Sequence, residues 1–127
     1  MLRILVVDDD PQVRELLCSI LERAHYRVDE AEDGRQAVGR FRQNLADLLI
    51  VDIFMPVKEG IETILDLKQA SPSLKVIAIS GGGLSGDLEF LEHARTLGAD
   101  RALTKPLNFV ELLAAVRDLV GAGEESS

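Results

Sequence analysis

Ala46-Asp47-Leu48-Leu49-Ile50-Val51-Asp52 is an apolar run bounded by polar residues. A segment of this length and character reads as a strand buried on both faces, as in a parallel sheet covered by helices. Met55-Pro56 follows at once, so the chain must turn just beyond Asp52. A carboxylate therefore stands at the carboxyl end of a central strand, where open α/β sheets bind their ligands. Two other stretches look placed to meet it: Asp8-Asp9-Asp10 after Ile4-Leu5-Val6-Val7, and Thr104-Lys105-Pro106 after a short candidate strand.

The rest of the chain fits the same scheme. Leu2 to Val7 reads as the first strand, and Asp10-Pro11 as a helix start with Asp as N-cap and Pro at the first helical position. Val13, Leu16, Leu17, Ile20, Leu21 and Ala24 then form one apolar stripe at helical spacing. Tyr26 to Ala31 is mixed in polarity and belongs at the sheet edge. Glu32-Asp33-Gly34 turns into a second helix with Ala37, Val38, Phe41 and Leu45 inward. A third helix carries Ile61, Ile64 and Leu65 and stops before Ser71-Pro72. Leu74 to Ile79 is the fourth strand, ending at Ser80, and Gly81-Gly82-Gly83 opens a loop with Ser85 as the next N-cap. Leu88, Leu91, Ala94 and Leu97 mark a fourth helix with Gly98 as its stop. Arg101 to Thr104 is a short fifth strand. Asn108 with Glu111 resembles a capping box for a last helix carrying Phe109, Leu112, Leu113, Val116 and Val120. Five strand-then-helix units with short connections and right-handed crossovers give a doubly wound α/β fold with a five-stranded parallel sheet and helices on both faces. Residues 1–121 are expected to form the domain. Residues 122–127 read as a flexible polar tail or the start of a linker, of a stand-alone chain or a longer one.

At 127 residues the chain can bury a core of its own without disulfides or structural metal. Its net charge of −8 argues against direct nucleic-acid binding, which needs a basic patch. The single cysteine, Cys18, lies within a helical pattern with no His or second Cys beside it and reads as a small apolar residue. His25 and His93 read as solvent-facing. The first residues run directly into a strand pattern, without a basic n-region and cleavable apolar stretch, and nowhere do about 18 uncharged apolar residues run together. The expectation is a cytoplasmic protein without a membrane contact.

The ends of strands one, three, four and five carry Asp8-Asp9, Asp52, Ser80 and Lys105. Clustered carboxylates repel one another unless a cation is present. A hard divalent ion resolves this, and Mg²⁺ suits one or two carboxylates plus a phosphate oxygen. Lys105 adds a point charge, Ser80 a hydroxyl donor, and the Gly81 main chain a close approach. The implied ligand is a phosphoryl group, with Asp52 as nucleophile forming an acyl phosphate. Taken singly each residue has a plainer role: Asp10 suffices as a helix cap, Lys105 could be a surface lysine, and the glycine run is no P-loop. Jointly, at four strand ends, they make a site.

At these residues the sequence resembles the receiver domains of two-component response regulators. Val6-Val7-Asp8-Asp9 matches the family's acidic pair, Asp52-Ile53-Phe54-Met55-Pro56 its phosphoacceptor segment, Ser80 its switch hydroxyl, and Lys105-Pro106 its lysine with a usually cis proline. The resemblance spans nearly the whole chain and implies the flavodoxin-like strand order 2-1-3-4-5. It implies phosphotransfer to Asp52 from a sensor histidine kinase, a phosphotransfer protein or a small phosphodonor. Mg²⁺ would be held by Asp9, Asp52 and the Phe54 backbone carbonyl, with Asp8 assisting. The Phe54 and Gly81 backbone would bind the phosphoryl group, and hydrolysis would reset the signal. The chain would catalyse its own phosphotransfer and dephosphorylation while serving as a signalling protein. Its usual output surface, for a protein target or a second copy, is the face of the predicted fourth helix, fifth strand and fifth helix.

Three positions depart from the family pattern. Ala102 stands where an aromatic switch residue is usual, so output is expected to depend on the Gly81 to Ser85 loop. Phe54 is bulky beside the phosphoryl site, and Gly81-Gly82 offers no side chain to orient water; both point to a slow reset. The rival function is a protein-interaction module of the same fold, read by partners without phosphorylation. A haloacid-dehalogenase-like phosphatase also uses an Asp nucleophile with Mg²⁺. That family needs a second Asp where Phe54 stands, and a cap insertion for which the chain has no room.

Overall fold

The computed structural model describes residues 2–53, 57–80, 92, 96 and 98–123. Five strands form one parallel sheet: β1 (Arg3–Val7), β2 (Arg27–Ala31), β3 (Leu48–Asp52), β4 (Lys75–Ser80) and β5 (Arg101–Thr104), in the order β2-β1-β3-β4-β5. The helices are α1 (Pro11–Arg23), α2 (Gly34–Gln43), α3 (Val57–Ala70) and the C-terminal α4 (Phe109–Val120), the fifth helix of the sequence reading. The predicted fourth helix falls mostly outside the described residues, as do Ser85 and His93. Glu92 and Thr96 are described and helical, with the Thr96 hydroxyl donating to the Glu92 carbonyl at 3.0 Å.

Alternation along each strand splits the core into two layers. Leu5, Val7, Leu49 and Val51 meet Ala37 and Phe41 of α2 and Ile64 and Leu67 of α3. Ile4, Val6, Leu48 and Ile50 meet Leu17 and Leu21 of α1 and Leu112 and Val116 of α4. All five residues of β3 are buried, as expected for the central strand of a sheet covered on both sides. The caps also follow the sequence. Asp10 accepts from Gln12 N, Asp33 from Gln36 N and Asn108 from Glu111 N, each satisfying an otherwise orphaned helix donor.

Three leucines of the helical patterns are exposed, two of which, Leu16 and Leu45, were read as part of an apolar stripe or inner face. Leu45 is 69% exposed because α2 ends at Gln43 and Asn44 is extended, so helical spacing no longer applies; Ala46 is buried in its place. Leu16 is half exposed because the buried arc of α1 is centred on Leu17, Cys18 and Leu21; it borders an apolar groove with Val13, Leu107 and Phe109. Leu65 is exposed because α3 faces the sheet with Gly60, Thr63, Ile64 and Leu67. Gly60 lets α3 return close over the end of β3: a Cβ there would lie 3.2 Å from Ile53 Cα.

Residues 121–123, the end of the expected domain and the start of the stretch read as a tail, lie against the α1–β2 corner. The Tyr26 hydroxyl donates to the Gly121 carbonyl at 2.8 Å, and a Cβ on Gly123 would collide with the Ala24 carbonyl and the His25 main chain. His25, exposed at that corner, turns the chain with φ 71°. Tyr26→Phe leaves the Gly121 carbonyl without its donor and is expected to cost about 1 kcal/mol in urea unfolding. Gly123→Ala should cost a similar amount by pushing the segment off the corner; unfolding midpoints equal to the parent chain's would refute the docking. No helix of the described residues is long and apolar enough to cross a membrane.

Candidate functional site

The sheet register brings the predicted residues to one edge. Val7 pairs with Val51, Asp52 with Ile79 and Ser80 with Thr104, so Asp8, Asp52, Ser80 and Lys105 emerge side by side at the carboxyl ends of the strands. This is the crevice at the switch point, where β1 sends its connection to one side and β3 to the other. Phe54 and Gly81, assigned to the phosphoryl-binding backbone, lie outside the described residues.

Asp8 and Asp52 are buried, and Asp9 is exposed beside them. One carboxylate oxygen from each lies within 4.8 Å of the others. Lys105 Nζ donates to Asp52 Oδ2 at 2.8 Å and stands 3.7 Å from Asp8 Oδ2. The loop bearing Lys105 is tied back to β4 by its amide, which donates to the Ser80 carbonyl at 2.6 Å, and the Lys105–Pro106 peptide is cis. Ser80 is itself buried at the end of β4. Asp10 caps α1, its Oδ1 accepting from the Gln12 amide at 2.9 Å.

Main-chain contacts set the acidic turn. The Asp8 amide donates to the Ala31 carbonyl at 3.2 Å, and Asp8 Oδ1 accepts from the Asp10 amide at 2.9 Å. Asp8 Oδ2 is buried without a hydrogen-bond partner among the described residues. Burial pushes the Asp8 carboxyl up to about 6; the Asp10 amide opposes this, the Asp52 charge adds to it, and Lys105 offsets part. Burial alone would lower the Lys105 pKa. The hydrogen bond to Asp52 and the charges of Asp52, Asp8 and Asp10 outweigh it and hold the ammonium above the usual lysine value. Three hard oxygen donors, one of them buried and unsatisfied, fit a hard divalent cation such as Mg²⁺.

Sequence reasoning missed Arg14. Its Nη1 donates to the Asp8 carbonyl and its Nε to Glu30 Oε1 on β2, both at 2.8 Å. Only the spacing of Arg14 from the acidic triplet, one turn along α1, could have signalled it. Cys18 is buried with Sγ 3.7 Å from Glu30 Oε2; burial, reinforced by the Glu30 charge, pushes its thiol up to about 12. A thiol shifted in that direction is protonated at neutral pH.

Comparison with known proteins agrees with this geometry. The sequence model of the response regulator receiver domain matches residues 4–117. The chain is 40% identical over 114 residues to response regulator GtcR of Aneurinibacillus migulanus, covering 90% of this chain and 46% of that one. It is 33% identical over 120 residues to the chemotaxis protein CheY of Halobacterium salinarum, covering 94% of this chain and 98% of the relative. Among solved structures, response regulator TrrA of Thermotoga maritima, in complex with Mg(2+)-BeF, superposes with a TM-score of 0.79 at 36% identity, covering 94% of this chain and all of that one. The chain thus spans under half of the first relative and nearly all of the second. It belongs to the response regulator receiver domain family of two-component systems.

Proposed function

We propose that this receiver domain is a phosphorylation-dependent switch in which Asp52 accepts a phosphoryl group. The observation that carries the reading is the Lys105 Nζ–Asp52 Oδ2 bond of 2.8 Å beside the Asp8-Asp9-Asp52 cluster. A nucleophile, its counter-charge and a cation-binding set share one crevice. Asp8, Asp9 and Asp52, with the Phe54 carbonyl, would hold Mg²⁺, which supplies charge neutralisation for the transferred oxygens. A carboxylate oxygen of Asp52 attacks phosphorus in line, the P–N bond of a phosphohistidine or the P–O bond of a small phosphodonor breaks, and the leaving group keeps the electron pair. On this reading Lys105 would neutralise a phosphoryl oxygen, and the Ser80 hydroxyl and Gly81 amide would donate to it. Hydrolysis of the acyl phosphate resets the domain. The similarity to TrrA, which holds Mg(2+)-BeF, supports the reading, because beryllofluoride mimics a phosphoryl group.

The partners on this reading are a sensor histidine kinase or phosphotransfer protein upstream. Downstream it would meet a protein target, or a second copy, through the face that includes β5 and α4. Such signalling runs in the cytoplasm. The test is intact-protein mass after incubation with Mg²⁺ and acetyl phosphate. The chain is expected to gain one phosphoryl adduct, lost in Asp52→Asn and in the presence of EDTA. No adduct, together with no binding of beryllofluoride, would refute the switch and leave a phosphorylation-independent interaction module.

A further inference from the structure

We propose that Arg14 is a positioning residue for the acidic pocket, locking the turn that presents Asp8 and Asp9 by joining it to the neighbouring strand. The inference rests on reading that pocket as a Mg²⁺ site. Asp9 is the exposed member of the cluster, so its position depends on the main chain on either side of it. The Arg14 side chain holds the main chain before it: Nη1 donates to the Asp8 carbonyl at 2.8 Å, while the Arg14 amide makes the first helical bond of α1, to the Asp10 carbonyl at 3.0 Å. The guanidinium is anchored in turn by Nε, which donates to Glu30 Oε1 at 2.8 Å, and its side chain is only 16% exposed. One planar group thus ties the first turn of α1, the end of β1 and the edge strand β2 together. A guanidinium presents these donors in a fixed fork, whereas an ammonium on a flexible stem cannot reproduce both directions.

The sign of the effect separates this role from simple electrostatics. Arg14 is a cation near the pocket, so by charge alone its loss should tighten Mg²⁺ binding. By positioning, its loss should weaken it, because groups that orient ligands are often worth about tenfold or more in metal affinity.

The experiment is calorimetric titration of the full chain with Mg²⁺, paired with exchange of the Asp10 amide, which donates to Asp8 Oδ1, in the metal-free protein. Arg14→Ala is expected to raise the Kd about tenfold and to speed exchange of that amide, with Ile50 and Val51 unchanged. Arg14→Lys should not restore either value. Glu30→Ala, which removes only one anchor, should shift the Kd in the same direction by about two- to threefold and remains usable if Arg14→Ala folds poorly. A parent chain that binds Mg²⁺ normally, with Arg14→Ala within about twofold or tighter, would overturn the inference alone. A parent chain that takes no Mg²⁺ would remove the pocket reading and the inference with it.

Discussion

Replacing Lys105 with methionine is expected to slow phosphorylation of Asp52 by acetyl phosphate about a hundredfold, the scale of losing one preorganised charge or donor at a reacting oxygen. The same change should leave Mg²⁺ affinity unchanged or increased. Both outcomes follow from one geometry. Lys105 Nζ lies 2.8 Å from Asp52 Oδ2 and 3.7 Å from Asp8 Oδ2, so the ammonium and a bound cation would draw on the same carboxylates. Removing the ammonium lessens the positive charge that an incoming cation meets, but deletes the group that, in the proposed switch, steadies the transferred oxygens. Methionine keeps most of the stem's packing and no charge, which separates this effect from loss of bulk. Adduct formation by mass at matched Mg²⁺ saturation is the measurement. A rate within about threefold of the parent would remove Lys105 from the reacting group.

Asp8→Asn should stabilise the metal-free domain at neutral pH. The Asp8 carboxyl titrates near 6 when folded against 3.8 ordinarily, so the folded state binds its proton more tightly than the unfolded chain does. The group's contribution is therefore best at low pH and is lost as pH rises from about 4 through 6. At pH 7 this leaves a cost of about 3 kcal/mol. Asparagine does not titrate, can still accept from the Asp10 amide through its side-chain oxygen, and offers donors toward Asp52. In urea unfolding with EDTA the variant should be the more stable at pH 7, by on the order of 1 kcal/mol or more, with the gap closing toward pH 4. Adding Mg²⁺ should favour the parent, whose buried oxygen the ion would satisfy. A variant less stable than the parent at pH 7 in EDTA would show that the folded state does not strain to keep Asp8 charged. The site and the stability of the fold are opposed here, as expected where function requires like charges to be gathered.

How much of this was legible without coordinates depends on whether the information is local. The central strand before Asp52, the caps at Asp10 and Asn108 and the punctuation at Ser71-Pro72 and Lys105-Pro106 are properties of a few neighbouring residues. They determined the elements and their order. Because every strand runs parallel into a crevice at its carboxyl end, that order alone was enough to gather Asp8, Asp9, Asp52, Ser80 and Lys105. Leu16 and Leu45 were misplaced because helical periodicity gives the spacing of a stripe but not which way its edges face, nor where the helix ends. Only the packing of α1 and α3 on the sheet chose Cys18 and Leu67 for the interior.

The tertiary structure alone decided the remaining contacts. Arg14 reaches Glu30 across a strand–helix gap of 16 residues, and Tyr26 reaches Gly121 across 95. No pattern in either segment announces its partner. The unsatisfied oxygen of Asp8 and its raised pKa belong in the same class, since burial is a property of everything packed around a residue. The sequence by itself determined which groups meet at the strand ends; the fold decided how tightly they are held and at what electrostatic cost.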